Sequence, residues 1–438
     1  MRTQFSIAQL ADPHLAEADA ALRACVHCGI CTASCPTYVL LGDERDSPRG
    51  RIVMMQKMLE EGGAPSAETV THIDRCLSCL ACRTVCPSGV DYQRLVDQSR
   101  AHIEKHYRRP FADRLTRWTI ANVLTRPSLS RAALLIAQLF APLAFLLPPG
   151  LRTMARRGAR LRATTAQDQT LVAHNGRRVL LLPGCVQQVV APEIDQALAR
   201  VLARRGIALE TLPGAGCCGA LSFHLGREDE AKVLAKRNIE AFERSGSSEG
   251  VTISATGCAA HLADYEHLFL DDPAWRARAR AFASSLTSTT DLLSSPACGV
   301  SPRSGETEGG AGTHDALRVA LHVPCSQQHG LRTGDDGDVL RGARFEVIAI
   351  PESHLCCGSA GSYSLLEPEI AGALRARKLT NIRSVQPDVI ATSNIGCLQH
   401  LGGADAPPIV HVAELVDWAE GGPVPRALSA LAQAQPSR

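Results

Sequence analysis

Cys25-Val-His-Cys28-Gly-Ile-Cys31-Thr-Ala-Ser-Cys35-Pro36 returns further along the chain as Cys76-Leu-Ser-Cys79-Leu-Ala-Cys82-Arg-Thr-Val-Cys86-Pro87. Both stretches are C-x2-C-x2-C-x3-C-P runs, the spacing that holds [4Fe–4S] clusters in pairs. Three cysteines separated by two residues each let one tight loop wrap three corners of a cube. The fourth, set off by three residues, points to the other cube, and Pro turns the chain there. Cluster one is therefore expected on Cys25, Cys28, Cys31 and Cys86, and cluster two on Cys76, Cys79, Cys82 and Cys35. Zinc knuckles also use C-x2-C pairs. Two identical four-cysteine runs, each closed by Pro, argue against them.

Between the runs, residues 50–61 (GRIVMMQKMLEE) read as a helix, with Ser47 as its N-cap and Pro48 in its first turn. Residues 1–110 are thus expected to form an α-helical module around two clusters. Arg49, Arg51 and Arg83 lie beside the motifs and are placed to raise reduction potentials electrostatically, although charges near any loop are commonly just solvated.

The chain has 438 residues, room for two or three domains. A net charge of +2 argues against a general nucleic-acid binder, and 4% aromatics leaves few stacking surfaces. Seventeen cysteines stand out. Disulfide-dense chains are mostly small secreted domains, and the start MRTQFSIAQLADPH has no basic stretch leading into an apolar run. A cytoplasmic location is the expectation, and regular spacing points to metal ligands rather than bridges.

Residues 111–175 read as a helical connector. Its apolar stretch, Ala132 to Leu147, is interrupted by Pro142 and falls short of the ~20 residues needed to span a bilayer. Arg152, Arg156, Arg157, Arg160 and Arg162 follow it. The plainer expectation is a buried helix with a solvated basic tail. The competing one is a patch for a partner or a membrane surface.

From about residue 176 the plan changes. RRVLLLPGC reads as a buried strand ending at a cysteine, followed by a helix-like segment from Pro192 to Arg205, and ALRVALHVPC repeats the strand. Cys185 pairs with Cys325, Cys217–Cys218 with Cys356–Cys357, and Cys258 with Cys397, at near-constant offset, so residues 176–293 and 317–438 are duplicate copies. Alternating strands and helices imply an α/β fold with largely parallel strands. The Ser/Gly/Pro-rich stretch 294–316 between them reads as a linker, and Cys298 within it has no counterpart. The whole is a multi-domain α+β chain: a helical two-cluster module, then a duplicated α/β cysteine-rich domain. Gly219 and Gly358 follow the vicinal cysteines, where a wrapping loop needs backbone freedom. The eight repeat cysteines are candidate ligands for one or two further clusters, against the alternative of buried thiols packing as small hydrophobes. His261 and His400 stand three residues after the last cysteine of each copy and are weaker candidates, more simply read as core or solvated histidines.

LRACVHCGICTASCPTYVLLGDERDSPRGRI and DRCLSCLACRTVCPSGVDY, with LHVPCSQQHG, the two Cys-Cys-Gly turns and HVAELVDW, resemble the iron–sulfur subunit of bacterial glycolate oxidase over nearly the whole chain. The cysteine motifs alone also occur in lactate-utilisation proteins, anaerobic glycerol-3-phosphate dehydrogenase and heterodisulfide reductases. The resemblance implies a cytoplasmic complex, with a peripheral seat on the inner face of the membrane as a further expectation. In it, flavoprotein partner subunits would oxidise glycolate to glyoxylate, and this chain would relay their electrons toward a quinone. The related heterodisulfide-reductase domain holds a non-cubane cluster with a single cysteine, the vicinal pair and a final C-x-x-C. Here His261 and His400 occupy the last position, a departure from the five-cysteine set.

No catalytic acid–base or nucleophilic constellation accompanies the cysteines, and no G-x-G-x-x-G follows an expected strand, so flavin is expected only on partners. Three functions remain open at this level: an electron relay, a catalytic subunit whose Cys-Cys-Gly centre performs its own disulfide or quinone chemistry, and an assembly scaffold with structural cysteines.

Overall fold

The computed structural model describes residues 1–147, 151, 152, 154, 155, 177–246, 248–295 and 317–430. The expected linker falls almost wholly outside these residues, as do Cys298 and all of the basic tail except Arg152.

The N-terminal module is helical. Helix Pro48–Glu61 begins as its sequence signals: the Ser47 side chain accepts from the Gly50 amide, and Pro48 occupies the first turn, where no amide hydrogen is needed. Its buried face (Ile52, Met55, Met58, Leu59) packs with helices Pro13–Ala24 and Tyr92–His106, and the cluster cysteines Cys25, Cys76 and Cys82 join that core. At its centre lies Asp46, fully buried. One carboxylate oxygen accepts from Arg51 (3.1 Å) and faces His72 Nδ1 (3.0 Å), while the other accepts from Arg75 (3.1 Å).

Each copy of the cysteine-rich unit is built on a parallel sheet. In the first, strands β1 (Arg177–Leu181), β2 (Ile207–Thr211) and β3 (Val251–Thr252) run in order β2-β1-β3. In the second, β4 (Arg318–Leu321), β5 (Glu346–Ile348), β6 (Val389–Thr392) and β7 (Ile409–His411) run β5-β4-β6-β7. In the first copy a single parallel bridge from Leu286 to Val251 and the short helix Thr289–Ser294 stand where the second copy has β7 and helix Val412–Ala419. The longer helix closes both copies: helix Glu193–Arg204 packs its Leu198, Val201 and Leu202 into one continuous core with Val319, Val389, Leu415 and Trp418. Arg200 and Arg204 cross that seam to the buried Asp417 carboxylate.

The apolar stretch of the connector departs from the plainer expectation. Helix Pro127–Leu139 and the turn Ala141–Leu146 after it lie on the surface, with Leu135, Ile136, Leu139, Phe140, Leu143, Phe145 and Leu146 all about half exposed or more. The beginning of this helix is tied down through Arg131 to the Gln188 carbonyl and Ser130 to the Val123 carbonyl. Periodicity signals an apolar face, but cannot show whether the fold supplies anything to cover it.

Asp46 is the counter-charge of Arg51, which is 1% exposed. Asp46→Ala is expected to cost about 3–5 kcal/mol by stranding a buried guanidinium. Cluster absorbance should then bleach at a lower denaturant concentration than in the parent chain.

Candidate iron–sulfur centres

The two ferredoxin-type loops wrap in the same way. His27 and Ser78 take positive φ (57° and 52°), and so do Gly29 and Leu80 two residues on (81° and 62°). Left-handed backbone at non-glycine positions is costly and recurs where a loop is bent around a ligand. One recess is lined by Cys25, Cys28, Cys31 and Cys86 and also by Cys82. A second is lined by Cys35, Cys76, Cys79 and Cys82. Amide groups aim at the sulfurs: Ser78 N donates to Cys76 Sγ and Val90 N to Cys86 Sγ, each at 3.5 Å. Tyr92 Oη reaches Cys76 Sγ at 3.8 Å. Of the three arginines near the motifs, Arg51 alone is buried against a cysteine sulfur, with Nη1 3.8 Å from Cys35 Sγ. Arg49 is spent on Glu44, and Arg83 on Asp91 and Gln93.

The recesses differ in setting. Cys28 is exposed, with Val26 and Ile30 exposed around it. The Cys79 side of the second recess is covered by the second copy of the cysteine-rich unit, where Leu77 and Cys79 pack among Cys325, Cys356 and Tyr363. Burial pushes the Cys79 and Cys82 thiols well above their ordinary pKa, and neighbouring sulfurs add to the effect. Thr84 Oγ1 meets His329 Nδ1 at 2.9 Å across this junction, and Arg94 forks onto Asp264 of the first copy at 2.6 Å to each oxygen.

In each copy the four cysteines meet in one chain of sulfurs. Cys325 Sγ lies 3.8 Å from Cys356 Sγ, and Cys357 Sγ lies 3.4 Å from Cys397 Sγ. The first copy repeats this order, Cys185 beside Cys217 and Cys218 beside Cys258. The neighbouring thiol, then burial, holds Cys185, Cys218 and Cys325 well above the usual thiol range. Such thiols ionise only beside a cation, which is the condition a metal centre meets. Both sets of sulfurs and Cys79 line one cavity of about 520 Å³. The donor chemistry and the room fit iron–sulfur centres.

Two devices position these sulfurs. Gly219 (φ +91°) and Gly358 (φ +94°) turn the chain after each vicinal pair. A Cβ at Gly358 would meet the Ala371 carbonyl at 2.7 Å, whereas at Gly219 the matching Ala231 carbonyl is 3.4 Å away. A buried polar network also starts two residues after each first cysteine. Gln187 bonds Asp195 and Ser254, with Ser254 also on Asp195, and Gln327 bonds Thr290, which with Ser393 holds Asp336. The sequence carried this signal: a Gln stands two residues after Cys185 and again after Cys325.

His261 and His400 do not join the sulfur groups. His400 Nε2 faces the Ala371 carbonyl at 3.1 Å, and His261 is buried among the rings of Phe223, His224 and Tyr265. A different histidine does join them. An imidazole nitrogen of His322, Cys357 Sγ and Cys397 Sγ all lie within 4.8 Å of one another. Burial drives the His322 pKa down to about 3, leaving it neutral. Sequence reading passed over it because it has no partner in the first copy, where symmetry had been the filter.

Comparison with known proteins agrees with this anatomy. A 4Fe-4S dicluster domain model matches residues 21–90, and a cysteine-rich domain model matches twice, at 179–263 and 319–402. The chain is 38% identical to the glycolate oxidase iron-sulfur subunit of Escherichia coli (strain K12), over 96% of this chain and 99% of that one. The chain belongs to the glycolate oxidase iron–sulfur subunit family. The probable glycolate oxidase iron-sulfur subunit of Bacillus subtilis (strain 168) is 30% identical over 91% of this chain and 94% of its own length. Lactate utilization protein A of Bacillus velezensis is 27% identical, but over only 55% of this chain. The near-complete coverage separates this family from the lactate-utilisation proteins, which share the cysteine motifs.

Because the Gly358 site adds a backbone collision to its positive φ, Gly358→Ala is expected to destabilise the chain more than Gly219→Ala. A positive-φ alanine alone costs about 1–2 kcal/mol. Comparing denaturation midpoints of the two variants checks the order.

Proposed function

We propose that this chain is the electron-relay subunit of a flavin-dependent glycolate oxidase complex, carrying two [4Fe–4S] clusters in residues 1–110 and further iron–sulfur chemistry in the two cysteine-rich copies. Cys25, Cys28, Cys31 and Cys86 hold one cluster, and Cys76, Cys79, Cys82 and Cys35 the other. Cys185, Cys217, Cys218, Cys258, Cys325, Cys356, Cys357 and Cys397 hold the remaining iron. Bound clusters supply one-electron acceptor and donor chemistry; the protein orders them in space.

The observation that carries this reading is the placement of Cys79. The second recess shares a wall with Cys325 and Cys356, while the first opens at the exposed Cys28. A flavoprotein partner docked at Cys28 delivers electrons there, and they leave through the cysteine-rich copies. Arg51 and the amide beside Cys76 favour the reduced, more negative state of one cluster, and the amide beside Cys86 does so for the other. Flavin and glycolate belong to partner subunits, and the chain alone oxidises no glycolate. The names of the relatives support glycolate over lactate or glycerol 3-phosphate as the partner's substrate.

The same reading places the complex at the cytoplasmic face of the membrane. No helix among the described residues is long and apolar enough to cross a bilayer. The exposed leucines and phenylalanines of residues 135–147, followed in sequence by five arginines, have the composition of an interfacial anchor.

Three outcomes are expected. Iron and sulfide analysis of the anaerobically purified chain should exceed the ~8 iron atoms that two cubes supply; a value at eight would confine clusters to the N-terminal module. The isolated chain should reduce no dye with glycolate, and an affinity-tagged chain should co-purify with flavoproteins that do. Leu135→Glu with Leu139→Glu should abolish co-sedimentation with anionic phospholipid vesicles while leaving the iron content unchanged.

A further inference from the structure

The two copies superimpose in sequence and hydrogen bonding at the strand that leads to the first cysteine, so they can be compared residue by residue. The Leu182 amide donates to the Thr252 carbonyl at 2.9 Å, and the His322 amide donates to the Ala391 carbonyl at 2.8 Å. Leu182 and His322 therefore occupy equivalent positions, three residues before Cys185 and Cys325. Leu182 is fully buried and belongs to an apolar core that includes Cys218. His322 is equally enclosed, at 3% exposure, and its Nε2 has no hydrogen-bond partner among the described residues.

A second difference lies in the helix behind the sulfurs. The glycines that follow the vicinal pairs rest on Ala231 in one copy and Ala371 in the other, which aligns Asn238 with Lys378. Asn238 bonds the Cys217 carbonyl and Tyr265. Lys378 is 2% exposed, with its ammonium on the Glu352 carbonyl at 2.7 Å and facing Cys356, Cys357 and Cys397. The second copy thus buries an imidazole and an ammonium where the first buries a leucine and an amide.

Both changes cost free energy in a dry interior unless something compensates them. A buried polar group left without a partner destabilises the fold, and a buried charge does so more strongly. The first copy shows that the fold needs neither group. A metal–nitrogen bond satisfies His322, and metal-bound thiolates supply negative charge for Lys378. Imidazole with thiolate is an established donor mixture for iron.

We infer that His322 is a ligand of the iron–sulfur centre in the second copy, giving it a mixed cysteine–histidine set that the first copy lacks. This rests on the reading that the second copy binds such a centre. His322 then takes the place left by the missing last cysteine, which neither His261 nor His400 fills. His322 adds a neutral donor to the same four cysteines, and the buried Lys378 ammonium, absent from the first copy, favours the more negative reduced state and makes this centre the easier of the two to reduce. The duplication has therefore diverged into two unequal electron sites, and the second, beside Cys79, is the stronger acceptor.

The test uses the full chain with all its clusters, poised at successive potentials. Pulsed EPR should resolve a nitrogen hyperfine coupling to one centre outside the N-terminal module. Mössbauer spectra of isotopically enriched chain should show a corresponding distinct iron site in any oxidation state that is silent in EPR. His322→Leu, which copies the first repeat, should lose the coupling and the distinct iron site, and that centre's midpoint potential should shift or its iron be lost. His322→Cys should keep the iron, lose the nitrogen coupling and also shift the potential downward. Unchanged signals from the two N-terminal clusters show that either variant is folded. A wild-type chain with iron beyond eight atoms but no nitrogen-coupled or distinct site overturns the ligand assignment. So does a His322→Leu chain with unchanged spectra and potential. Iron limited to eight in the wild type instead overturns the underlying reading that the cysteine-rich copies hold clusters.

Discussion

Thiols crowded together away from water resist ionisation, and burial with neighbouring sulfurs holds Cys79, Cys82, Cys185, Cys218 and Cys325 well above the usual thiol range. Sixteen cysteines are gathered in this way among the described residues, and a cation beside such a group turns its sulfurs into strong ligands. Much of the architecture serves that condition. Left-handed residues bend the loops, glycines let the backbone pass close to neighbouring helices, and buried Gln–Asp networks brace the cysteine-bearing turns. Even the arginine core of the N-terminal module follows from it. Arg51 brings positive charge to Cys35, and Asp46 makes that charge tolerable where water cannot.

Features governed by covalent spacing were the legible ones. The two C-x2-C-x2-C-x3-C-P runs, the helix capped at Ser47, the parallel strands before Cys185 and Cys325, and the duplication all depend on local pattern. Features governed by what lies opposite were not legible. Residues 132–147 are apolar enough for a core, yet nothing among the described residues covers them. His261 and His400 drew notice because they recur, but they turn toward rings and a carbonyl. His322 and Lys378 escaped notice because they do not recur. A duplicated sequence invites a search for what the copies share, and the differences between copies carry as much chemistry.

The asymmetry extends beyond the ligands. The second sheet has a full strand β7 and the helix Val412–Ala419 where the first has a single bridge at Leu286 and the shorter helix Thr289–Ser294. The copies are alike in plan but unequal in extent, and both contribute to the core between them.

That shared seam bears on biogenesis. Leu198, Val201 and Leu202 pack with Val179, Ile207, Leu292 and Leu293 of their own copy as well as with residues beyond 316, and Arg200 and Arg204 find their counter-ion at Asp417. The core that includes Cys218 is built from residues 180–282. During synthesis, then, the first cysteine-rich copy can gather its sulfurs before the second copy is made. What waits for the second copy is the seam, where the outer face of helix Glu193–Arg204 and its two arginines are completed only when Asp417 and its helix arrive.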